Sequence, residues 1–276
     1  MPQNLKTLLE KILTKKQLDL MPSSFDTVGD ILIFSEFPKE LEKKEKIIGT
    51  KILDNFKNIK VITKKTKKYG GTFRTPILKI MAGERRKETI HRENGIKVKL
   101  NVQNVYFSAR LGHERERISK LIKKGEEVLV MFSGCGIYPV NISKNTGAKE
   151  IYAIEINPEG HRYAEENIIL NKTSNIILFN GDVNDILPKI KNKFDRVLMP
   201  LPKSAEDFLD IALKKLKPKG TLHFYDFMHE NEFDLSKEKV KVAAKRANRK
   251  SRILNFTKCG QFGPGKFRVC VDTKIY

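Results

Sequence analysis

A short segment near the middle of the chain joins an apolar strand to a glycine turn and a helix, and it limits how the rest can fold. The run Val128–Phe132 is continuously apolar, which is typical of a strand covered on both faces. The turn Ser133–Gly136 follows, and a helical pattern begins after it. Glycines at such a turn let the backbone lie against a ligand with no Cβ in the way. The segment therefore predicts a parallel, doubly wound α/β sheet with a ligand above Gly134 and Gly136.

Three further strands end in polar or turn-forming residues at the edge where that ligand would lie. The second apolar run ends at Glu155, roughly at the offset where a carboxylate accepts hydrogen bonds from both hydroxyls of a ribose. The third strand ends at Asp182, and the fourth, over 196–199, ends before Pro200. Because the carboxyl ends of parallel strands meet at one edge of a sheet, the pattern predicts a nucleoside-binding site.

Length and composition narrow the class of protein. At 276 residues the chain has room for one large domain and a small one. No apolar run reaches the ~18 residues of a membrane span, and lysines interrupt the amino terminus where a signal peptide would be apolar. The 3 cysteines form no CxxC pair, which favours a reducing compartment and argues against structural zinc. We expect a cytoplasmic, monomeric protein without a metal.

The chain is strongly basic. Lysine and arginine number 54 against 33 acidic residues, a formal net charge of +21. Such an excess attracts polyanions, so it favours nucleic acid as a partner without separating DNA from RNA. A lysine-rich proteome with solvated helix faces is the alternative source of part of this charge.

The residues ahead of the glycine turn form their own pattern. Apolar residues at helical spacing predict an amphipathic helix over 4–16, and the basic stretch 64–71 is interpreted as a loop. Asn94-Gly95 predicts a type I′ hairpin turn. We expect an N-terminal helical segment (1–21), a small α+β domain (22–103) and the ligand-binding domain (104–276). The strands expected in the small domain are 30–34, 59–63, 73–80, 89–91 and 96–102, with a helix beginning at Pro38.

The last part of the chain predicts a strand over 221–225, a basic helix over 235–250 and a closing β-hairpin, with a helix over 205–216 before them. A late hairpin that inserts an antiparallel strand separates methyltransferases that use S-adenosylmethionine from dehydrogenases. There is also no GKS or GKT phosphate loop, which argues against an NTPase. Aromatic and arginine side chains alternate over 105–117, which suits a stacked base and a paired anion, or equally an ordinary charged helix start.

Seven motifs occur in the order found in one known family: Gly71–Arg74, His91–Gly95, Val105–Leu111 with Glu114-Arg115, Phe132–Gly136, Ala153–Pro158, Gly181–Val183 and Met199–Lys203. In this combination the chain resembles the archaeal and eukaryotic type of tRNA (guanine-N1)-methyltransferase that acts at position 37. The resemblance runs from about residue 25 to the end. It implies a class I, Rossmann-like methyltransferase domain, S-adenosylmethionine as methyl donor, and the anticodon stem-loop of tRNA as partner.

The resemblance also implies roles for single residues. Glu114 would be the general base for guanine N1, and Arg74 would stabilise the charge that develops on O6. Glu155 would hold the ribose, Asp182 the adenine amino group, and Arg115 the methionine carboxylate. The other cofactor contacts implied are Phe132, Gly134, Gly136, Ile156, Val183 and Pro200, and the other substrate contacts are Tyr106, Phe107, Arg110, Lys203 and again Pro200.

These residue types suit the chemistry. Neutral guanine keeps a proton on N1, so attack on the sulfonium methyl needs a base within reach. As that proton leaves, negative charge moves to O6, where a preorganised guanidinium lowers the barrier. The sulfonium is itself a strong electrophile, so neither a metal nor a covalent intermediate with the enzyme is required.

The sequence departs from the family pattern at three points. Val130 stands where the family usually has an acid, and Pro200-Leu201-Pro202 stands where it usually has Asn-Leu-Pro, so only the Pro200 carbonyl can contact the target base. This variant resembles an archaeal subgroup in which some members also methylate C7 of a tricyclic wyosine precursor, and we expect a widened or dual target. Full-length relatives also carry an amino-terminal module that reads the tRNA elbow; none is expected here, which predicts weaker dependence on tRNA tertiary structure.

Two other functions remain open at the level of sequence. One is the wybutosine-pathway enzyme that transfers the aminocarboxypropyl group from the same cofactor, which Arg74, Glu114 and the Pro-Leu-Pro element disfavour. The other is a tRNA-binding protein that has lost catalysis, suggested by Val130 and Pro200. His223 is interpreted as a core residue, and Cys135 as a contributor of backbone rather than thiol chemistry.

Overall fold

The protein is described here by a computed structural model covering residues 5–201 and 203–276, without the side chains of Lys68 and Tyr69. It forms two compact units, Met1–Arg92 with Lys97–Ala109, and Glu93–Ile96 with Arg110–Tyr276. Residues 104–109 thus group with the first unit, although the sequence placed them in the second domain. The hairpin tip 93–96 groups with the second unit, where the Asn94 amide donates to the Gly112 carbonyl at 3.0 Å.

The first unit is built on a four-stranded sheet in the order β1-β2-β3-β4. β2 is antiparallel to β1 and parallel to β3, and β4 is antiparallel to β3. A 3₁₀ helix, Lys39–Lys44, and the helix α3, Glu45–Asn55, connect β2 to β3. Buried side chains of α3 and of the sheet share one apolar cluster with the N-terminal segment. The strands are Asp26–Val28 (β1), Ile31–Phe34 (β2), Val61–Gly70 (β3) and Thr75–Gly83 (β4).

The N-terminal segment does not form the single helix predicted over 4–16. It forms two short helices, α1 (Leu5–Leu9) and α2 (Lys15–Leu20), and residue 4 lies outside the described residues. Thr14 and Gln17 form a reciprocal capping box, which starts a new helix in the middle of the predicted one. The apolar spacing still has the predicted effect, because Leu5, Leu9 and Leu13 are buried.

The basic stretch 64–71 was predicted as a loop, and this was wrong: β3 continues to Gly70 and pairs with β4 through several register shifts. Lys64 can lie in the strand because its ammonium group is paired with Glu42 and Glu45, each at 2.8 Å. The two-stranded sheet that follows, β5 (Glu88–Glu93) and β6 (Ile96–Asn101), confirms the type I′ turn, since Asn94 and Gly95 have φ of 45° and 76°.

The second unit is built on a seven-stranded sheet in the order β12-β13-β11-β10-β7-β8-β9. The strands from β11 to β9 in that order run parallel, while β13 is antiparallel to both β11 and β12. The predicted doubly wound sheet with a closing antiparallel hairpin is therefore confirmed. The strands are Glu127–Met131 (β7), Glu150–Glu155 (β8), Ile176–Asn180 (β9), Phe194–Met199 (β10), Leu216–His229 (β11), Ser251–Gly263 (β12) and Lys266–Ile275 (β13).

Helices cover this sheet, and the last of them is the predicted basic helix. Val240, Ala243 and Ala244 of this helix are buried in the core, so its lysines lie on the opposite face. The segment predicted as one helix over 205–216 begins as a 3₁₀ helix, Ala205–Phe208. No helix within 5–201 or 203–276 has the length and apolar character needed to cross a membrane. The helices are Gly112–Leu121 (α4), Ile137–Asn145 (α5), Pro158–Asn171 (α6), Val183–Ile186 (α7), Leu209–Lys215 (α8) and Phe233–Arg246 (α9).

Candidate active site

The glycine turn and the carboxylate predicted to hold a ribose are in direct contact. Glu155 ends β8, and its carboxylate accepts hydrogen bonds from the backbone N–H of Gly134 at 2.6 Å and of Asn157 at 2.8 Å. Burial raises the pKa of the Glu155 carboxyl, and these backbone donors act against that rise. The carboxylate is thus fixed at the carboxyl end of β8, beside the turn that follows β7.

The backbone of the turn shows why glycines are needed there. Gly134 and Gly136 have φ of 58° and 77°, a region that residues with a Cβ rarely adopt. A Cβ on Gly136 would also lie 2.9 Å from the Cβ of Ala164 in α6, so the turn and this helix pack closely. Phe132 has φ of 62°, and its ring packs edge-on against Phe208 at 5.0 Å between centroids.

The ends of β8 and β9 are tied to each other. The Glu155 carbonyl accepts from the Gly181 N–H at 3.0 Å, and Asp182 caps α7 by accepting from Asn184 N–H at 2.8 Å. Val183 is buried and Ile156 is partly exposed at the same edge. These residues line the crest predicted to hold an adenosine.

Two further features of this crest were not predicted from the sequence. A Cβ on Gly160, in the first turn of α6, would lie 3.0 Å from Cγ of Glu155, so only glycine leaves this carboxylate its present place. Ser133 Oγ is buried and has no hydrogen-bond partner among the described residues. The close approach of α6 to Glu155 at a glycine and the unsatisfied hydroxyl in the turn both fit a site for a nucleoside cofactor. The glycine inside the helical pattern after Asn157-Pro158 was the available signal for Gly160.

Glu114, the predicted general base, is buried in α4 and held by two donors. Arg117 donates to both of its oxygens, from Nε at 2.7 Å and from Nη2 at 2.8 Å. The Tyr225 hydroxyl donates to Glu114 Oε1 at 2.6 Å and lies 3.2 Å from the Tyr138 hydroxyl. Because Tyr138 belongs to α5, this chain of contacts joins Glu114 to the helix that starts at the glycine turn.

Arg117 also pairs with a second buried carboxylate, Asp272 of β13, at 2.6 Å. Asp272 Oδ1 lies 2.6 Å from His223 Nδ1, and His223 Nε2 lies 2.6 Å from a nitrogen of Arg196. Although burial acts against it, the contacts with His223 and Arg117 hold the pKa of Asp272 well below its usual value. Burial in turn lowers the pKa of His223. Cys270 is also close, but both ring nitrogens of His223 are engaged, so this cluster does not offer them to a metal.

Arg115, predicted to hold the methionine carboxylate, forms a bidentate ion pair with Glu93 and is buried. Its guanidinium lies 5.9 Å from the centroid of the Tyr138 ring, close to the start of α5. The interpretation of His223 as a core residue is confirmed, since it is fully buried. Cys135 is also buried, and burial raises the pKa of its thiol to about 12. Its carbonyl accepts from the Asn167 amide at 2.9 Å, which ties the glycine turn to α6, and its backbone role toward a cofactor stays a prediction.

The remaining predicted residues are distributed over both units. In the first unit, Arg74 lies in the turn between β3 and β4 with φ of 50°, and burial lowers the pKa of its guanidinium against the opposing effect of Tyr106. Phe107 packs edge-on against His91 at 5.1 Å. Arg110 and Lys203 are exposed residues of the second unit.

The end of β10 forms a tight turn at the Pro-Leu-Pro element. The Leu201 N–H donates to the Met199 carbonyl at 2.7 Å, which places Pro200 at the centre of a γ-turn, where its fixed φ fits. Pro202 lies outside the described residues. Val130, the other departure from the family pattern, is fully buried in β7 and serves the core.

Comparison with known proteins agrees with this arrangement. A sequence model of the TRM5/TYW2 methyltransferase domain matches residues 89–254, and a model of the TYW2 N-terminal domain matches residues 5–86. The chain belongs to the TRM5/TYW2 methyltransferase family. The predicted family and the predicted class I methyltransferase fold are thus confirmed.

Three relatives show the range of activities within the TRM5/TYW2 family. The chain is 38% identical to tRNA (guanine(37)-N(1))-methyltransferase Trm5b of Pyrococcus abyssi, over 92% of this chain and 76% of the relative. It is 32% identical to tRNA(Phe) (4-demethylwyosine(37)-C(7)) aminocarboxypropyltransferase of Methanocaldococcus jannaschii, over 92% and 99%. It is 29% identical to tRNA 4-demethylwyosine(37)-methyltransferase Taw21 of Saccharolobus solfataricus, over 98% and 99%.

Solved structures give the same family. The Trm5b structure from Pyrococcus abyssi matches with a TM-score of 0.87 and 36% identity, covering 96% of this chain and 78% of that one. The complex of aTrm5 and tRNALeu matches with a TM-score of 0.84 and 30% identity, over 100% and 78%. TYW2 of M. jannaschii in complex with AdoMet matches with a TM-score of 0.70 and 27% identity, over 91% and 99%.

Proposed function

We propose that this protein is an S-adenosylmethionine-dependent tRNA (guanine(37)-N1)-methyltransferase. The observation that carries the proposal is that one unit holds two carboxylates near the glycine turn, Glu155 half-buried beside it and Glu114 buried in α4. Glu155 accepts directly from Gly134, and Glu114 is connected through Tyr225 and Tyr138 to the helix that begins after Gly136. Glu155 can accept hydrogen bonds from the hydroxyls of a ribose, and Glu114 can act as a proton acceptor.

The cofactor would be held by the crest of the second unit. Glu155 would accept from the ribose hydroxyls and Asp182 from the adenine amino group, with Val183, Ile156 and Phe132 as apolar contacts. Arg115 would hold the methionine carboxylate, and its present partner Glu93 would have to share it. S-adenosylmethionine supplies an electrophilic methyl group. The chain's own work is then to position the target nitrogen and to remove its proton.

In this mechanism Glu114 takes the proton from guanine N1. A carboxylate that is held by Arg117 and Tyr225 keeps one orientation and needs no reorganisation when the target base arrives. When Glu114 becomes neutral, Arg117 still has the carboxylate of Asp272 as a partner at 2.6 Å. Arg117, Tyr225 and Asp272 therefore act as positioning residues for the base.

The substrate contacts rest on the family resemblance. Arg74 is proposed to stabilise the charge on O6, and Tyr106, Phe107, Arg110 and Lys203 to contact the RNA, with the Pro200 carbonyl facing the target base. A relative with 30% identity was crystallised with tRNA, which supports the anticodon stem-loop as the partner. We propose that the protein acts as a monomer in the cytoplasm.

The test is to incubate the purified protein with S-adenosylmethionine and unmodified tRNA, and to map the product nucleotide by mass spectrometry. We expect N1-methylguanosine at position 37. Glu114→Gln should reduce the single-turnover rate by roughly 10²–10⁴-fold while cofactor affinity is kept. Glu116→Gln, an exposed acid on the same helix that pairs with Lys120, is the matched control. A product at another position, or equal rates for the Glu114 and Glu116 variants, would contradict the proposal.

A second candidate function has specific support. Taw21, a 4-demethylwyosine methyltransferase, aligns over nearly its whole length, and the TYW2 N-terminal model matches residues 5–86. Both observations favour a tricyclic wyosine precursor as an additional target. The same reaction with tRNA that carries this precursor tests it, and the mass gained by the base separates methyl from aminocarboxypropyl transfer. Cofactor binding without any turnover on either tRNA would instead support a non-catalytic tRNA-binding protein.

A further inference from the structure

The C-terminal hairpin and β11 present an exposed pair of aromatic rings. Phe227 of β11 and Phe262 of β12 lie with ring centroids 4.1 Å apart and ring planes at 38°. Phe262 is 57% exposed, so one ring of the pair is open to solvent. A phenylalanine with this exposure, supported from behind by a second ring, is a ready surface for stacking a planar group.

One basic side chain lies over this pair, and a second lies over two neighbouring rings. The Arg268 guanidinium lies 5.3 Å from the centroid of the Phe227 ring. Lys258, on the same strand as Phe262, lies 5.2 Å from the centroid of Phe233 and 5.0 Å from that of Phe267. Aromatic rings interleaved with cations bind single-stranded nucleic acid, because bases stack on the rings and the cations attract the phosphates.

The aromatic pair belongs to the same part of the second unit as the proposed general base. Tyr225 and Phe227 are two residues apart on β11 and therefore point to the same side of that strand. The Tyr225 hydroxyl donates to Glu114 Oε1 at 2.6 Å. A nucleotide on the aromatic pair would therefore lie on the side of β11 that also carries the tyrosine bonded to the proposed general base Glu114.

We propose that Phe262, backed by Phe227, is a stacking platform for the unpaired nucleotide adjacent to the target nucleotide of the RNA. This inference rests on the proposed function. A guanine whose N1 meets Glu114 must leave the stack of the anticodon loop, so its neighbour loses one stacking partner. The Phe262 ring replaces that partner. Because the protein carries a net charge of +21, a polyanion such as RNA is favoured as the molecule that binds to this ring.

The test uses anticodon stem-loops with 2-aminopurine at each nucleotide adjacent to the target in turn. Binding to the wild-type protein should quench the fluorescence of one of them. Phe262→Ala should lose this quenching and weaken RNA binding by roughly 5–100-fold. Phe262→Tyr, which keeps a ring, should retain both. Leu254→Ala, at a residue 47% exposed on the same strand, is the control and should leave both unchanged.

Two results would overturn the platform. One is equal quenching and equal RNA affinity for wild type and Phe262→Ala. The other is unchanged RNA binding together with a change in sedimentation, which would assign the patch to contact between copies of the chain. Failure of the proposed function would look different, because the wild-type protein would then bind and quench the stem-loop without forming N1-methylguanosine.

Discussion

Arg117 illustrates how single residues set the properties of the site. Its guanidinium is shared between Glu114 and Asp272, whose side chains are 2% and 3% exposed. One cation thus compensates two buried anions. Its planar fork can donate to both at once, which a lysine ammonium cannot do with the same geometry.

Replacing Arg117 by methionine should therefore lower the free energy of unfolding by about 3–5 kcal/mol, because two carboxylates would be left buried without their cation. Urea denaturation at pH 7.5 measures this. Lys120→Met, on the same helix, removes a solvent-exposed ion pair with Glu116 and should change the free energy by about 0–1 kcal/mol. Similar losses for the two variants would show that the shared ion pair contributes no more to the free energy of unfolding than a surface ion pair does.

His223 predicts a pH dependence of stability. Burial lowers its pKa below the usual 6.5, so below pH 6.5 the unfolded chain takes up a proton that the folded protein resists. The free energy of unfolding should then fall as the pH drops from 6.5 toward the folded pKa, by up to about 1.4 kcal/mol per pH unit.

The measurement is a series of urea denaturation curves between pH 7.5 and 5 for wild type, His223→Gln and His113→Gln. His223→Gln should lose most of this slope, whereas His113, an exposed residue of α4, should not affect it. The low pKa of Asp272 also makes stability fall with decreasing pH, but only below its ordinary value of 3.8, outside this window. Parallel curves for wild type and His223→Gln would refute the assignment.

At the scale of elements, the first turn of α6 is shaped by the ligand site rather than by helix stability. Alanine is a better helix former than glycine by about 1 kcal/mol, yet position 160 is glycine. The reason lies in the neighbouring strand, since a Cβ at position 160 would lie only 3.0 Å from Cγ of Glu155 and would press on that side chain.

Gly160→Ala should therefore keep or raise the melting temperature while weakening the binding of S-adenosylhomocysteine about tenfold or more. Calorimetric titration and thermal denaturation of the same sample measure the two effects. Gly263→Ala, where a Cβ would meet no atom within 4 Å, is the control and should bind normally. A variant that loses affinity and stability in proportion would point to a folding defect instead.

The closing hairpin has two roles in the second unit. Its strand β13 completes the sheet beside β11, and the same strand supplies Asp272 to Arg117. The hairpin that identified the fold class from the sequence thus also supports the proposed base.

At the scale of the whole molecule, the net charge of +21 should dominate the binding of RNA. Each phosphate neutralised by a lysine or arginine releases counterions, so affinity falls steeply with salt. We expect tRNA affinity to fall at least tenfold between 50 and 200 mM salt. The affinity for S-adenosylhomocysteine, which carries no net charge, should change little over the same range. Filter binding and calorimetry measure the two, and a flat response for tRNA would contradict a charge-driven interface.

The sequence by itself determined the sheet of the second unit, its glycine turn and the position of Glu155. Each of these follows from a local pattern: an apolar run, glycines where φ is positive, and an acid where a strand ends. The hairpin turn at Asn94-Gly95 likewise follows from a local pattern, the two adjacent residues themselves. The capping box at Thr14 was local too, and it divides the predicted N-terminal helix.

Only the tertiary structure decided the surroundings of those residues. Glu114 pairs with Arg117 three residues away on α4, but Asp272 comes from β13 at the other end of the second unit's sequence, and folding alone brings it to Arg117. The same holds for Lys64, which remains in a strand because Glu42 of the 3₁₀ helix and Glu45 of α3 compensate its charge. Charge compensation in a buried site depends on the distances between segments that are far apart in the chain, and a local sequence pattern does not show these distances. For that reason the sequence identified the acid at position 114, and the fold decided which hydroxyl holds it and which second carboxylate shares Arg117.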